Sequence, residues 1–112
     1  MSFTQNTADF NNQPVKYAYL DATESGNTSI VAAVSGKKIR VLSAVVIALT
    51  AVTVHFESAT TQISADNAAG ATGGWTMPYS PYGWLETVAG AALNVNLGGA
   101  VATGVTIAYI EV

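Results

Sequence analysis

The sequence predicts an all-β protein, an antiparallel β-sandwich or jelly roll of about seven to eight strands in a single domain. Three observations carry this. β-Branched and aromatic residues recur in short alternating runs. Turn residues separate those runs at intervals of roughly 8–14 residues. No stretch holds the 3.6-residue period of a helix. The 112 residues suffice for one domain and not two.

Residues 1–14 are polar, carry two isolated phenylalanines, Phe3 and Phe10, and end at Pro14. They show neither a strand nor a helix period, so they read either as a disordered terminus or as an arm. Such an arm would order against a neighbour, with the phenylalanines as anchors. Residues 15–112 form the β domain. Val15, Tyr17 and Tyr19 alternate with Lys16, Ala18 and Leu20, a first strand. Thr23-Glu24-Ser25-Gly26-Asn27 signals a turn, and Thr28 to Val34 gives a second strand closed by Ser35-Gly36.

Lys37 to Leu49 is the long central strand. Ile39, Val41, Ser43, Val45, Ile47 and Leu49 fall on one face, and Arg40, Leu42, Ala44, Val46 and Ala48 on the other. Both faces are largely apolar, whereas an antiparallel strand ordinarily shows one face to water. The second apolar face therefore implies an intersubunit surface or a layer inside the fold. A helix competes for this run, but its density of β-branched residues argues for a strand.

Val52, Val54 and Phe56 alternate with Thr53, His55 and Glu57, a half-buried strand. Residues 58–74 read as loop with a short strand around Thr61–Ala65. Trp75 to Tyr79 is a further strand, placed at an edge by Pro78 and Pro81. Leu93, Val95 and Leu97 then alternate with Asn94 and Asn96. Gly98-Gly99 reads as a two-residue hairpin turn that pairs this strand with Val101–Val112. In that register Leu97 faces Ala100, Val95 faces Ala102 and Leu93 faces Gly104.

Hydrophobic residues make up 50% of the chain and charged residues 10%, against about 25% charged in an ordinary soluble domain. A lone soluble monomer covers its outside with charge. Much of this outside is therefore expected to lie against other protein. The net charge is −3, and Lys16, Lys37, Lys38 and Arg40 are too few to neutralise many phosphates, which argues against nucleic acid as a partner. The first residues show neither a basic stretch nor an apolar one. The apolar run from Val41 is broken at Thr50 and Thr53, short of the ~20 residues of a membrane helix, so no membrane partner is expected. No cysteine is present, so no disulfide constrains the fold.

Chemistry is sparse. His55 stands alone as a possible base for a nucleophile, on the polar side of its strand, where a cross-strand or interface hydrogen-bonding role is the simpler reading. The acids Asp9, Asp21, Glu24, Glu57, Asp66, Glu86 and Glu111 are scattered without a paired-carboxylate spacing. Asp21-Ala22-Thr23-Glu24-Ser25-Gly26 echoes the first half of a calcium loop, but Ala32 stands where the closing bidentate Glu belongs. Gly98-Gly99 precedes a strand and not the helix that would hold a phosphate. The expectation is no catalytic residue, no metal and no cofactor: the chain does not read as an enzyme. One cluster could bind something. Trp75-Thr76-Met77-Pro78-Tyr79-Ser80-Pro81-Tyr82-Gly83-Trp84 holds four aromatics in ten residues. Trp75, Tyr79, Tyr82 and Trp84 suit a β core or self-interface, a partner protein or a sugar ring. With Phe3 and Phe10 they are the candidate partner contacts.

The run Ser35-Gly36-Lys37-Lys38-Ile39-Arg40-Val41-Leu42-Ser43 resembles one in small structural proteins of tailed bacteriophages. So does Pro78-Tyr79-Ser80-Pro81-Tyr82-Gly83-Trp84-Leu85-Glu86-Thr87, with Gly90 to Leu97 and the closing Tyr109-Ile110-Glu111-Val112. The resemblance covers roughly residues 30–112 and leaves out residues 1–14. It is one of strands and turns and carries no catalytic signature. It is to the trimeric jelly rolls that decorate and cement phage capsids. It implies a virion protein on the capsid surface, a homotrimer, bound over junctions of the major capsid protein. Similar modules in phage tails and fibres imply an alternative, a host glycan or receptor as the target.

Overall fold

A computed structural model describes residues 9–10 and 13–112, with side chains from Gln13 onward. Twelve strands and no helix occur among the described residues. In chain order they are β1 (Asp9–Phe10), β2 (Gln13–Pro14), β3 (Lys16–Ala22), β4 (Gly26–Val31), β5 (Ile39–Ala48) and β6 (Val52–Ser58). There follow β7 (Thr61–Gln62), β8 (Asn67–Ala69), β9 (Gly74–Met77), β10 (Leu85–Glu86), β11 (Leu93–Leu97) and β12 (Thr103–Glu111).

Two antiparallel sheets pack as a sandwich. The first runs β3-β12-β5, with β9 and β10 both on the far edge of β5. The second runs β4-β11-β6, with β7 and β8 both on the far edge of β6. β1 and β2 pair only with each other, within the stretch read as an arm. The main pairings are nested along the chain: β3 with β12, β4 with β11, β5 with β9, and β6 with β8. Such a folded-over double ribbon, closed by β12 on β5 and β11 on β6, is a jelly roll. The expected fold class holds. The extra short strands are additions to connections: β7 follows β6 in a tight hairpin, and β10 docks on β5 between β9 and β11.

The core lies between the sheets. Val54, Phe56, Leu93, Val95 and Leu97 from the second sheet meet Val41, Val46, Val105 and Ile107 from the first. Phe56 takes the edge of Trp75 at a centroid distance of 6.3 Å and 84° between ring planes. β9 reaches β5 only because it begins at Gly74, where a Cβ would strike the Val46 carbonyl.

Three sequence expectations change. Leu93–Leu97 and Val101–Val112 do not form a hairpin across Gly98-Gly99. β11 pairs with β4 and β6, β12 pairs with β3 and β5, and residues 98–102 cross from one sheet to the other. Both strands have apolar partners on either side, so the distant pairings bury more than a local ribbon would. Nor does β5 keep one face throughout. Opposite β12, Ala108 pairs with Ser43 and Tyr109 with Val41, so Leu42 is the extra residue of a β-bulge. Ile39 and Val41 face the core before the bulge, and Ala44, Val46 and Ala48 after it. Of the short strand expected around Thr61–Ala65, only Thr61–Gln62 forms a strand, β7, and β8 begins beyond it at Asn67.

Candidate functional site

Past the Leu42 bulge, the outer face of the first sheet is apolar and uncovered. One row crosses it as Tyr19, Thr106, Val45 and Thr76. The next is Asp21, Gly104, Ile47 and Gly74. Tyr17, Tyr19, Val45, Ile47 and Leu49 are each between 43% and 76% exposed. Gly104 lacks a side chain between Asp21 and Ile47, and a hollow of about 340 Å³ opens there beside Leu49 and Ala102. The charge on these rows is Asp21, at one corner. An apolar sheet face of this kind is what an interface core looks like before its partner arrives. The sequence signal was present as the second apolar face of the central strand. Which face of the central strand is exposed depends on the bulge, which turns Val45 and Ile47 outward beside Tyr17 and Tyr19 of β3.

The other end of β5 is covered. Ile110, opposite Arg40, is fully buried, as is Leu42, and neither belongs to the central core. The aromatic loop is tied to this end of β5. The Ser80 N–H donates to the Leu42 carbonyl at 2.9 Å and the Trp84 N–H to the Val41 carbonyl at 2.8 Å. The bulge thus positions the loop as well as the strand. Gly83 turns it with φ +83°, lying so close to the Arg40 stem that a Cβ would collide. The Trp84 indole N–H donates to the Pro78 carbonyl at 2.6 Å. Arg40 Nε–H donates to Glu86 Oε1 at 2.7 Å, with Lys38 at 3.7 Å from the other carboxylate oxygen.

Tyr79, Tyr82 and Trp84 are exposed together on this loop. Trp75 stands apart from them on β9, half-buried against Phe56, with its indole N–H buried and unpartnered. Trp75 and Trp84 line one hollow of about 510 Å³ with Met77 and Ile63. Phe3 lies outside the described residues, and so does the Phe10 side chain.

The outer face of the second sheet is polar. His55 points one ring nitrogen at Glu57 Oε2 and the other at Asp66 Oδ1, both at 2.6 Å. The Asn27 amide donates to Glu57 Oε1 at 2.8 Å, and the Asn96 amide donates to Asn27 at 2.6 Å. These bonds hold Glu57 below the usual carboxylate range, the His55 contact first and the Asn27 bond second, against the opposing effect of burial. No group of three or more metal-ligating side chains suited to an ion occurs among the described residues. His55 joins Glu57, two residues along the same strand, to Asp66 in the connection before β8, and no cross-strand side-chain bond of His55 occurs among the described residues.

No protein-family model and no curated protein matches this chain. Among solved structures, a chain of the Cyanophage Pam1 capsid asymmetric unit matches with a TM-score of 0.54 and 12% identity, over 97% of this chain and 93% of that one. The likeness is one of fold across nearly the whole of both chains.

Proposed function

We propose that this chain is a structural protein of a phage virion that decorates and cements the capsid, binding as a homotrimer over junctions between major capsid protein subunits. The role is mechanical and non-enzymatic. The observation that carries it is the apolar outer face of Tyr17, Tyr19, Val45, Ile47 and Leu49 on a jelly roll whose fold recurs in a capsid chain. A second copy suits that face because its rows hold little charge to be stranded on burial. Contact with the shell falls to surfaces away from it, the N-terminal segment with Phe3 and Phe10 among them. Three copies then act together, and multivalency raises avidity by about 10²–10⁴ over a single contact.

Imaging of the intact particle tests the placement. Trimeric density over shell junctions is the expected result, and density on the tail or a fibre refutes it. Sedimentation of the isolated chain tests the assembly, since a clean monomer at micromolar concentration contradicts the self-interface.

A further inference from the structure

We infer that the aromatic loop is a binding site for a neutral hexopyranose, built on Trp84 and the Arg40–Glu86 pair. It lies beyond the capsid reading and rests on a different surface from the self-interface.

Three features combine. Trp84 is 49% exposed, yet its indole N–H is anchored to the Pro78 carbonyl and its backbone N–H to the Val41 carbonyl. An exposed ring held at two points is a preorganised platform, which lowers the ordering cost of binding. Beside it lies a hollow of about 220 Å³, lined by Arg40, Tyr82, Gly83, Trp84, Leu85 and Glu86. Its size falls below the ~300 Å³ at which drug-sized sites begin, so it suits one small ring. Gly83 brings the loop against the Arg40 stem, where a Cβ would collide, and so sets the guanidinium beside the ring.

The polar wall narrows the ligand class. Arg40 makes its protein hydrogen bond through Nε, and its terminal N–H groups have no protein partner among the described residues. Glu86 Oε1 receives that bond, while Oε2 is 3.7 Å from Lys38 and keeps capacity to accept. A fixed donor and a fixed acceptor therefore stand side by side next to an aromatic ring. An anion would meet the Glu86 carboxylate, and a cation would meet Arg40 and Lys38. A neutral hydroxyl both donates and accepts, so it satisfies the two walls together. A pyranose supplies several such hydroxyls around an apolar C–H face, which matches the ring.

The full chain is titrated with methyl β-glucopyranoside, methyl β-galactopyranoside, methyl α-mannopyranoside and methyl N-acetyl-β-glucosaminide. The backbone amide signals of Gly83, Leu85 and Glu86, which line the hollow and remain in every variant, are followed by ¹H–¹⁵N NMR. At least one sugar should shift these signals saturably, with a dissociation constant of about 1–10 mM for a single ring. Trp84→Ala should abolish the response, Trp84→Phe should retain part of it, and Glu86→Gln should weaken it at least severalfold. Dispersed backbone amide signals of the core residues Val95 and Leu97 report that each variant is folded. If Trp84→Ala loses the fold, the Trp84→Phe and Glu86→Gln affinities decide. No shift with any of the four sugars overturns the inference and leaves the loop to a protein contact. Shifts that survive in a folded Trp84→Ala protein overturn it too. Neither result bears on trimer formation, which the opposite end of the sheet governs.

Discussion

At the scale of single residues, the second sheet's outer face rests on the group around His55. Each ring nitrogen lies 2.6 Å from a carboxylate oxygen, so both contacts are donated hydrogen bonds only when the imidazole carries both protons. Glu57 is nearly buried and gains from this arrangement, its carboxyl held below the usual range chiefly by the His55 bond. The direction fixes the pH dependence. A carboxyl depressed in the folded state contributes stability above its ordinary range, and that contribution disappears as pH falls through the folded value. Denaturant unfolding of the native chain should therefore lose stability from pH 5 downward in part through this residue. Glu57→Gln should be less stable at neutral pH by about 1–3 kcal/mol, the scale of a charged hydrogen bond. The gap between the two proteins should close in acid. A constant gap across the titration contradicts the assignment.

At the scale of elements, the bulge in β5 decides what the molecule shows to its surroundings. Strict alternation from Ile39 places Val45, Ile47 and Leu49 on the same side as Ile39 and Val41. The extra residue at Leu42 reverses that, burying Ala44 and Val46 and exposing the larger residues. Leu42→Ala should cost about 2–5 kcal/mol, as for a fully buried leucine, whereas Val45→Ala in the monomer should change stability by no more than about 0.5 kcal/mol. Urea midpoints of the two variants in a dissociated sample check the order, and strict alternation predicts the reverse. The same element shows what sequence could convey. The β-branched runs, the turn at Gly26, the edge placement of β9 and the doubly apolar central strand were all legible as local patterns. The bulge was not, because Val41-Leu42-Ser43 reads equally well with either face inward. Gly98-Gly99 misled for a related reason: a glycine pair permits a hairpin, but partner choice follows from burial across the whole sandwich. Gly98 instead sits against Thr53, where a Cβ would collide with its hydroxyl. The aromatic cluster was legible as composition, but composition could not tell that Tyr79, Tyr82 and Trp84 are exposed while Trp75 packs against the core because β9 pairs with β5.

At the scale of the whole molecule, the two outer faces differ in kind. The second sheet covers its face with a hydrogen-bonded set of His55, Glu57, Asn27 and Asn96, which satisfies itself without a partner. The first sheet leaves Tyr17, Tyr19, Val45, Ile47 and Leu49 against water. For a chain with only 10% charged residues, this asymmetry makes association on the first face the way to remove apolar area from water. Thermal unfolding tests it without any knowledge of the particle. A trimer that melts to unfolded chains gains stability by mass action, so its midpoint rises with protein concentration. For a domain of this size a tenfold increase should raise Tm by about 3–6 °C. Ile47→Lys places a charge at the middle of the face, which should abolish the concentration dependence and yield a folded monomer, since a surface substitution leaves the domain within about 0.5 kcal/mol. If the proposed trimer forms through this apolar face, raising sodium chloride from 50 to 500 mM should leave it intact, although such salt shortens the screening length from about 14 Å to about 4 Å. A trimer that dissolves in salt would be held by charge, and the interface would then have to be sought around Lys16, Asp21 and Glu111 instead of Ile47.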